Sequence, residues 1–585
     1  MFLALTANQD FGDKQRNGIF LGQWCIPFDT PAIKEREYKT LPYIFDDRTK
    51  LFQAYRYVES VYFRTMPCLA ERLNAVHHTD YSERYWEIVI GYWLREYLEV
   101  LYERYECIRA ALNRVRGAQV KLIHPDDYLI LEDGQDFEKR CVTDLYNLQL
   151  YSQIIKHLGG FEITHVRISR DAWRLPRGGW RTILMLRTKN FIKWVSLLCS
   201  RWNKIYLCSM YFPVYHLISI AHRLKIFPTI DTPQFRIKSA KTCDSKLREQ
   251  LAVPPNVDEF ERLVWLTLQH NIPQIYIENF APLKRLVQKY YPKRAKLIAT
   301  ANAFAINEGF KLWTAEQTEQ YNTPYVIHQH GGNYGCALWN SSEDYETRIS
   351  DYYLTYGWED SGRKNIIPFY ASRILSPRDG RICGNPEGDI LWVLASFPRY
   401  AYTMYSVPAG PPFKEYLNDQ IRFLCNLRPQ TKRLIKCRAY PIEYGWSDID
   451  YIKKRAGDFK LDHSKRTVQG RLSSMRLFVC TYNATAHLES IAANVPTIIY
   501  WNAEHWDIRE SAREAFDALH NVGILYYSPE DAAKKVESIL ENTFDWWGQS
   551  DIQQARTRFC EQFARTHSSA CKVWADWLQE HARPE

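Results

Sequence analysis

The sequence predicts an α/β chain in which two Rossmann-like domains face each other across a cleft, and three observations predict it. The segment Gln329-His330-Gly331-Gly332-Asn333-Tyr334-Gly335 follows a strand-like run from Pro324 to His328. The segment Thr481-Tyr482-Asn483-Ala484-Thr485, which runs on to Glu489, follows a second such run from Leu477 to Cys480. Around both, strand-like and helix-like stretches alternate, the signature of βαβ units in a parallel sheet. Small and hydrogen-bonding residues thus stand where parallel strands end, the edge at which open α/β sheets bind ligands. Roughly 150 residues separate the two segments, about one domain length.

Met1 to Lys14 has a short apolar start broken by Asn8, Asp10 and Asp13, and carries neither the basic nor the apolar region of a signal peptide. Residues 48–117 are rich in helix formers at helical apolar spacing, as in Tyr85, Ile88, Val89 and Tyr92, and predict an inserted helical hairpin. Lys204 to Met210 reads as a buried strand, followed by a helix through Leu224. From Glu259 the alternation sharpens. Helices Glu259 to His270 and Leu283 to Tyr290 precede strand Lys296 to Thr300, helix Ala303 to Glu316, and strands Tyr325 to His328 and Tyr352 to Tyr356. Pro368 to Gly388, punctuated by Pro377, Gly380, Gly384 and Pro386, predicts a linker. The alternation then restarts with strand Ile390 to Ala395, helix Phe413 to Leu427 and strand Arg433 to Arg438. Strand Leu477 to Cys480, helix Ala484 to Asn494, strand Thr497 to Tyr500 and helices from Arg509 complete it. The expected units are an acceptor-side domain over 1–375, a nucleotide-binding domain over 385–545 and a C-terminal helix over 546–585.

Composition narrows the function. At 585 residues the chain exceeds one compact core. A net charge of +9 is too weak for a dedicated nucleic-acid binder, and suits anionic small molecules or an anionic membrane face. The 39 Tyr and 19 Trp fit carbohydrate recognition or bulky packing among helices. The 14 cysteines form no CxxC pair and read as reduced core thiols, Cys25 among them. No run approaches the ~18 apolar residues of a membrane span, so the expected location is the cytoplasm, with peripheral contact to the inner membrane. GxGxxG and GxxxxGK[ST] are both missing, which removes nicotinamide-dependent and P-loop chemistry. Asp46-Asp47 and Asp126-Asp127 alternate their directions and make no metal motif.

Candidate site residues gather at the strand ends. Thr481, Asn483 and Thr485 open a helix whose first N–H groups and dipole suit a phosphate, and Glu489 shares a face with Thr485 to meet a ribose. Ordinary capping with a solvated Glu489 fits the same residues. Arg438, ahead of Tyr440, and Arg399 end adjacent strands, where a guanidinium fork matches phosphate or carboxylate oxygens. In the first half, His330 suits a base or a donor to a leaving phosphate. Asn302 and Glu308 follow the preceding strand, while Glu343, Asp344 and Glu346 are expected in the next loop. A carboxylate there could act as nucleophile or general base in glycosyl transfer.

At these residues the chain resembles a family of transferases found in bacterial O-antigen and capsule gene clusters. The matching segments are Phe20 to Cys25, Leu41-Pro42-Tyr43, Arg84-Tyr85-Trp86, Gly91-Tyr92-Trp93, Gln329 to Gly335, Tyr440-Pro441 and Tyr444-Gly445-Trp446. The most specific stretch is Thr481 to Thr485 with Leu488-Glu489, Asn494, Pro496-Thr497, Trp501-Asn502, His505-Trp506 and Arg509-Glu510. The chain is similar to retaining pseudaminyltransferases of capsule synthesis and, more remotely, to capsule β-Kdo transferases. That resemblance implies a GT-B-like cleft, a CMP-activated sugar acid as donor and no metal requirement, with Asn483, Thr485 and Glu489 on the nucleotide side. The Kdo enzymes carry His-Pro where Tyr440-Pro441 stands here, which points to a different donor.

The expected function is therefore transfer of a nonulosonic acid, pseudaminic acid first, from a CMP donor to an oligosaccharide or lipid-linked acceptor of a bacterial surface polysaccharide. Retention with such a donor suits double displacement through a carboxylate. A CDP-alditol-type phosphotransferase and a non-enzymatic scaffold of polysaccharide assembly are the competing expectations.

Overall fold

The computed structural model describes residues 1–12, 18–26, 39–175, 180–235, 237, 243–374 and 380–583. Three sheets, each built from one stretch of chain, form its frame. The first holds β1 (Phe2–Ala4), β2 (Gly18–Phe20), β3 (Lys39–Thr40), β4 (Gln119–Ile123) and β5 (Glu162–Val166), in the order β3-β2-β1-β4-β5. The second holds β6 (Ile205–Cys208), β7 (Leu297–Thr300), β8 (Tyr325–His328), β9 (Tyr352–Thr355) and β10 (Ile366–Pro368), in the order β10-β9-β8-β7-β6. The third holds β11 (Asp389–Val393), β12 (Ile435–Arg438), β13 (Lys460–Leu461), β14 (Met475–Cys480), β15 (Thr497–Tyr500) and β16 (Leu525–Tyr526). Its order is β13-β12-β11-β14-β15-β16. Neighbouring strands pair in parallel in all three.

Counted from each sheet's own first strand, the first and third sheets follow the doubly wound Rossmann order, and the second runs straight. Switch points, where ligand crevices open, therefore fall between β1 and β4 and between β11 and β14. This is the expected α/β class with two Rossmann-like units, and the stretch expected as one N-terminal domain carries an additional sheet. Apolar runs such as Leu477 to Cys480 announced the central strands because they are buried on both faces. The strands of the first sheet gave no such signal: β2 and β3 are two or three residues long and only partly buried, and β5 is largely exposed.

The predicted helical hairpin forms the crossover from β3 to β4. It consists of α1 (Arg48–His77) and α2 (Tyr92–Val115), joined through a turn of helix at Glu83–Trp86 and a π-helical turn at Glu87–Gly91. Asp47 caps α1 by accepting from the Thr49 and Lys50 amides at 3.0 and 3.3 Å, which accounts for one of the two acidic pairs set aside above. Helices α3 (Gly134–Arg140), α4 (Asp144–Leu158), α5 (Trp180–Cys199), α6 (Val214–Leu224) and α7 (Phe280–Tyr290) follow. The single helix expected over Ala303 to Glu316 is broken at Asn307, whose side chain caps α8 (Glu308–Tyr321). Beyond it come α9 (Ser341–Ile349), α10 (Phe413–Cys425), α11 (Thr485–Ala492) and α12 (Ala570–Glu580). Of the expected linker, residues 375–379, including Pro377, lie outside the described residues. Cys25 is a buried thiol whose pKa burial pushes up to about 12, and all the cysteines are free.

The second and third sheets meet along a seam of backbone. The turn after β8 lies on the first residues of α11, and the Gly332 amide donates to Thr485 Oγ1 at 2.9 Å. A Cβ at Gly332 would lie 2.2 Å from the Ala484 carbonyl carbon and 2.5 Å from the Thr485 nitrogen, so only glycine fits. Alongside, Ala337 and Ile508 form an antiparallel bridge, and the Arg509 amide donates to Cys336 O at 2.9 Å. Gly332→Ala should lower stability by about 1–3 kcal/mol, the usual range for overpacking. Urea unfolding measures it, and an unchanged midpoint would mean the seam is not closed in solution.

Candidate active site

A cavity of about 730 Å³ lies between the first and third sheets, at the carboxyl ends of β11 and β12. Its walls come from α2 (Tyr92, Glu96), α3 (Glu138), the start of α4 (Asp144), the loop after β11 (Arg399, Tyr402) and the loop after β12 (Tyr444). Asp144 ties the two switch points together. Its carboxylate accepts from the Ala7 amide just beyond β1 at 3.2 Å, from Arg399 beyond β11 at 3.1 Å, and from the Tyr400 hydroxyl. A cavity of this size at a domain interface, lined by aromatic rings with a few convergent polar groups, is the usual form of a small-molecule site.

The acids arrive by helical spacing. Glu96, Glu99 and Glu103 follow one another at intervals of three and four along α2, so they share the face turned toward the third sheet's loops. Glu99 is consumed there, accepting from Thr403 Oγ1 at 3.0 Å and the Met404 amide at 2.9 Å. Arg104, paired with Glu103, donates to Ala401 O at 2.7 Å. Glu96 is left facing the cavity, with the Tyr92 hydroxyl hydrogen-bonded to it. Burial raises its pKa well above the usual carboxylate range, and the neighbouring Glu138 pushes it further. Burial also raises Glu138, to about 7, while Lys311 opposes the shift and Glu308 adds to it. Both carboxyls are therefore held above the ordinary carboxylate range, by burial first and by each other's proximity or that of neighbouring acids.

Glu308, singled out by the sequence, supports this pair from behind. Its carboxylate accepts from the Gly134 amide at 3.1 Å, from the Tyr276 hydroxyl at 2.9 Å and from Lys311 at 2.7 Å. It thereby holds the start of α3, which carries Glu138.

The other expected residues of the first half cluster around the turn after β8. The stretch from Glu343 to Glu346, expected as a loop, is part of α9, because Asn340 caps it by accepting from the Ser342 and Glu343 amides. Glu346 is fully buried between the Tyr334 and Tyr353 hydroxyls, at 2.7 and 3.1 Å, and burial raises its pKa strongly. Glu343 accepts from the Gly335 amide at 2.7 Å and from Arg509 across the seam at 2.8 Å. Asp344 turns away, to the Tyr55 hydroxyl on α1. Glu343 and Glu346 are closed to solvent, while Asp344 stays partly exposed. The His330 ring packs against Tyr334 and Phe304, and burial brings its pKa down to about 4, so it is neutral at physiological pH. Phe304 in turn meets Tyr92, with ring centroids 5.6 Å apart, which links His330 to the cavity wall. Asn302 donates to the hydroxyl of Tyr211, a residue the sequence reading did not name.

On the nucleotide side, the glycine turn lies over the helix start expected to hold phosphate, and Thr485 Oγ1 is taken by Gly332. Thr481 accepts from the Tyr416 hydroxyl at 2.6 Å and donates to Val393 O at 2.9 Å. Asn483 donates across the seam to Cys336 Sγ at 3.5 Å. Glu489 is buried against Arg373 at 2.9 Å, with burial raising its pKa and Arg373 opposing. Arg438 is bound to Asp462 and to two backbone carbonyls, of Ser464 and Arg466. Arg399 is bound to Asp144 and to Trp24 O. Tyr440 is exposed and stacks on Tyr444 at the mouth of the cavity, with centroids 6.2 Å apart. Glu96, Glu138 and Tyr402 were not legible as site residues in the sequence, and Tyr444 stood out only within the segment Tyr444-Gly445-Trp446 of the family resemblance. An acid repeated at helical spacing (Glu96, Glu99, Glu103) among aromatic and aliphatic residues of one helix was the available signal for the first.

A family model described as LIC12162 family transferase matches residues 1–578. No curated protein matches the sequence. Among solved structures, S. aureus TarM in complex with fondaparinux, α-GlcNAc-glycerol and UDP is similar over 52% of this chain, at 12% identity and a TM-score of 0.33. The match spans 59% of TarM, less than two thirds of its length. The spinosyn rhamnosyltransferase SpnG, complexed with spinosyn aglycone, is similar over 64% of this chain and 100% of its own, at 11% identity and a TM-score of 0.31. WaaG, a glycosyltransferase involved in lipopolysaccharide biosynthesis, is similar over 64% of this chain and 99% of its own, at 12% identity and a TM-score of 0.29. Likenesses this distant say nothing of this chain's substrate.

A carboxyl raised to about 7 on folding gives stability that is complete below pH 4.5 and is lost as pH rises toward 7, because the unfolded chain ionises first. Glu138→Gln should therefore leave stability near pH 4 unchanged and raise it by about 1–2 kcal/mol at pH 8, allowing for partial solvent screening. Thermal unfolding at the two pH values measures this. Equal shifts at both would show that Glu138 does not titrate as described.

Proposed function

The chain belongs to the LIC12162 family of transferases, and from that premise we propose that it is a glycosyltransferase acting in the cavity between its two Rossmann-ordered sheets. The donor in this reading is a CMP-activated nonulosonic acid, pseudaminic acid first, and the acceptor is a glycan of a bacterial surface polysaccharide, free or lipid-linked. The observation that carries it is the pair Glu96 and Glu138, which faces a cavity of about 730 Å³ at the carboxyl ends of β11 and β12. Two carboxyl groups with separated tasks are the recurring equipment of glycosyl chemistry.

The roles follow from the charges. A keto-sugar acid brings its own carboxylate beside the anomeric carbon, so two ionised glutamates facing it would repel it. Glu96, held neutral by burial, removes one of those charges and can donate a hydrogen bond. Glu138, ionised above about pH 7, is the nucleophile. Its oxygen bonds to the anomeric carbon as the bond to the CMP phosphate oxygen breaks and CMP leaves with the electron pair. The acceptor hydroxyl then displaces Glu138, its proton passing to the carboxylate released, and configuration is retained. Tyr440 and Tyr444 at the mouth offer a stacking platform to the cytosine ring. The reading includes no metal, so transfer is expected to persist in a strong chelator.

A thermal-shift series with CMP, CDP, UDP and GDP tests the donor, since a bound nucleotide stabilises the fold by mass action. CMP should stabilise, and Tyr440→Ala should weaken that effect at unchanged stability. Glu138→Gln should bind CMP normally and lose at least about a hundredfold in transfer, the scale of a removed catalytic carboxyl. Stabilisation by UDP alone would overturn the donor, and near-normal turnover of Glu138→Gln would overturn the chemistry.

A further inference from the structure

Residues 172–230 contain ten Lys and Arg and no Asp or Glu. This stretch builds α5, the edge strand β6 of the second sheet, and α6. One side of α5 packs on the body of the protein. Trp194 meets Phe235 and Tyr290, Lys193 pairs with Asp231, and Leu197 is fully buried. Its other side should be polar if it met only water. Instead Phe191 is 68% exposed and Val195 39%, and the same stripe continues through Leu198 to Trp202, 80% exposed just beyond the helix end. The spacing of four, three and four places these residues on a single line along the helix. Exposed Arg187, Lys189 and Arg201 accompany them. On α6 the pattern recurs: Leu217 and Ile220 are buried against the Trp574 cluster of α12, while Val214, Tyr215 and Ile218 are more than half exposed.

An apolar rim this long on a water-facing edge marks an interaction surface. Its company decides the partner. Uniform positive charge around exposed aromatic and aliphatic side chains complements a surface that is anionic outside and apolar just beneath, which is a bilayer of acidic phospholipids. Among the described residues no helix is long and apolar enough to cross a membrane. We propose that the edge formed by α5, β6 and α6 docks this protein on the surface of an anionic membrane, with the stripe from Phe191 to Trp202 entering the headgroup region. The loop between β6 and α6 carries Tyr211, whose ring lies 6.3 Å from that of His330, so the docked edge is continuous with the turn at the seam.

Flotation of the full chain with vesicles tests this without donor or acceptor, so its outcome is independent of the proposed reaction. Vesicles of equal parts phosphatidylcholine and phosphatidylglycerol should carry the protein, vesicles of phosphatidylcholine alone should not, and raised salt should release it. The double variants Phe191→Ser with Trp202→Ser, and Arg187→Glu with Lys189→Glu, should each lose at least about tenfold in vesicle partition. Because these sites are exposed, both variants should keep the wild-type melting temperature. No binding to phosphatidylglycerol vesicles, or equal binding by the variants, would overturn the proposal. So would sedimentation showing a dimer that the Phe191 and Trp202 substitutions dissociate while vesicle binding is unchanged, since the stripe would then cover a second copy of the chain.

Discussion

The contact of Gly332 with the Ala484–Thr485 peptide is the constraint on which the relation of the second and third sheets depends. Backbone touches backbone there, so the spacing is set by van der Waals radii and cannot be adjusted by a change of rotamer. The neighbouring bonds reinforce it: the bridge of Ala337 with Ile508, and Arg509 reaching Glu343. With that spacing fixed, the loops after β11 and β12 are delivered to α2 and α4 at one distance. The cavity is what remains between them.

Inside that frame the protein keeps an unusual number of carboxyl groups out of water. Glu99, Glu308, Glu343 and Glu346 are all buried, and each has hydrogen-bond donors that answer its oxygens. A buried acid without partners would instead be neutralised or expelled. Glu96 and Glu138 differ because they line open space: the Tyr92 hydroxyl answers Glu96, the charge of Lys311 opposes the shift of Glu138, and burial raises both. The buried acids and the acids that line the cavity therefore differ in how many donors surround each one.

Much of the fold was legible in the sequence, and the reason is burial. Strands β7, β8, β14 and β15 are apolar on both faces, so they read directly as short hydrophobic runs. The two loop segments were also legible, because glycines and hydrogen-bonding residues stand out at strand ends. What they do was less so: they were expected to flank a ligand and they touch each other. The residue type announces a capacity to bind, while its partner is a matter of tertiary placement. Arg399 and Arg438 have the fork for a phosphate, but Asp144 and Asp462 occupy it. Glu343 and Glu346 looked like loop acids because Asn340-Ser341-Ser342 reads as a polar turn, and only the cap geometry reveals the helix. The first sheet was illegible because β2, β3 and β5 are short or largely exposed, and because the central pairing of β1 with β4 joins residues more than a hundred positions apart. Glu96 and Glu138 went unnoticed because acids on helices usually face solvent.

The apolar core also bears on how this chain can vary. A single connected cluster includes Leu3 and Val120 from the first sheet, Ile327 from the second and Ile498 from the third. Two smaller clusters lie within the second and third sheets' own layers, but the largest is shared among all three sheets. An exchange of one half between two relatives would bring together surfaces shaped by different histories. Productive chimeras would have to move the hairpin of α1 and α2 together with the loops that it buries, so the natural unit of inheritance here is a pair of facing layers drawn from distant parts of the chain.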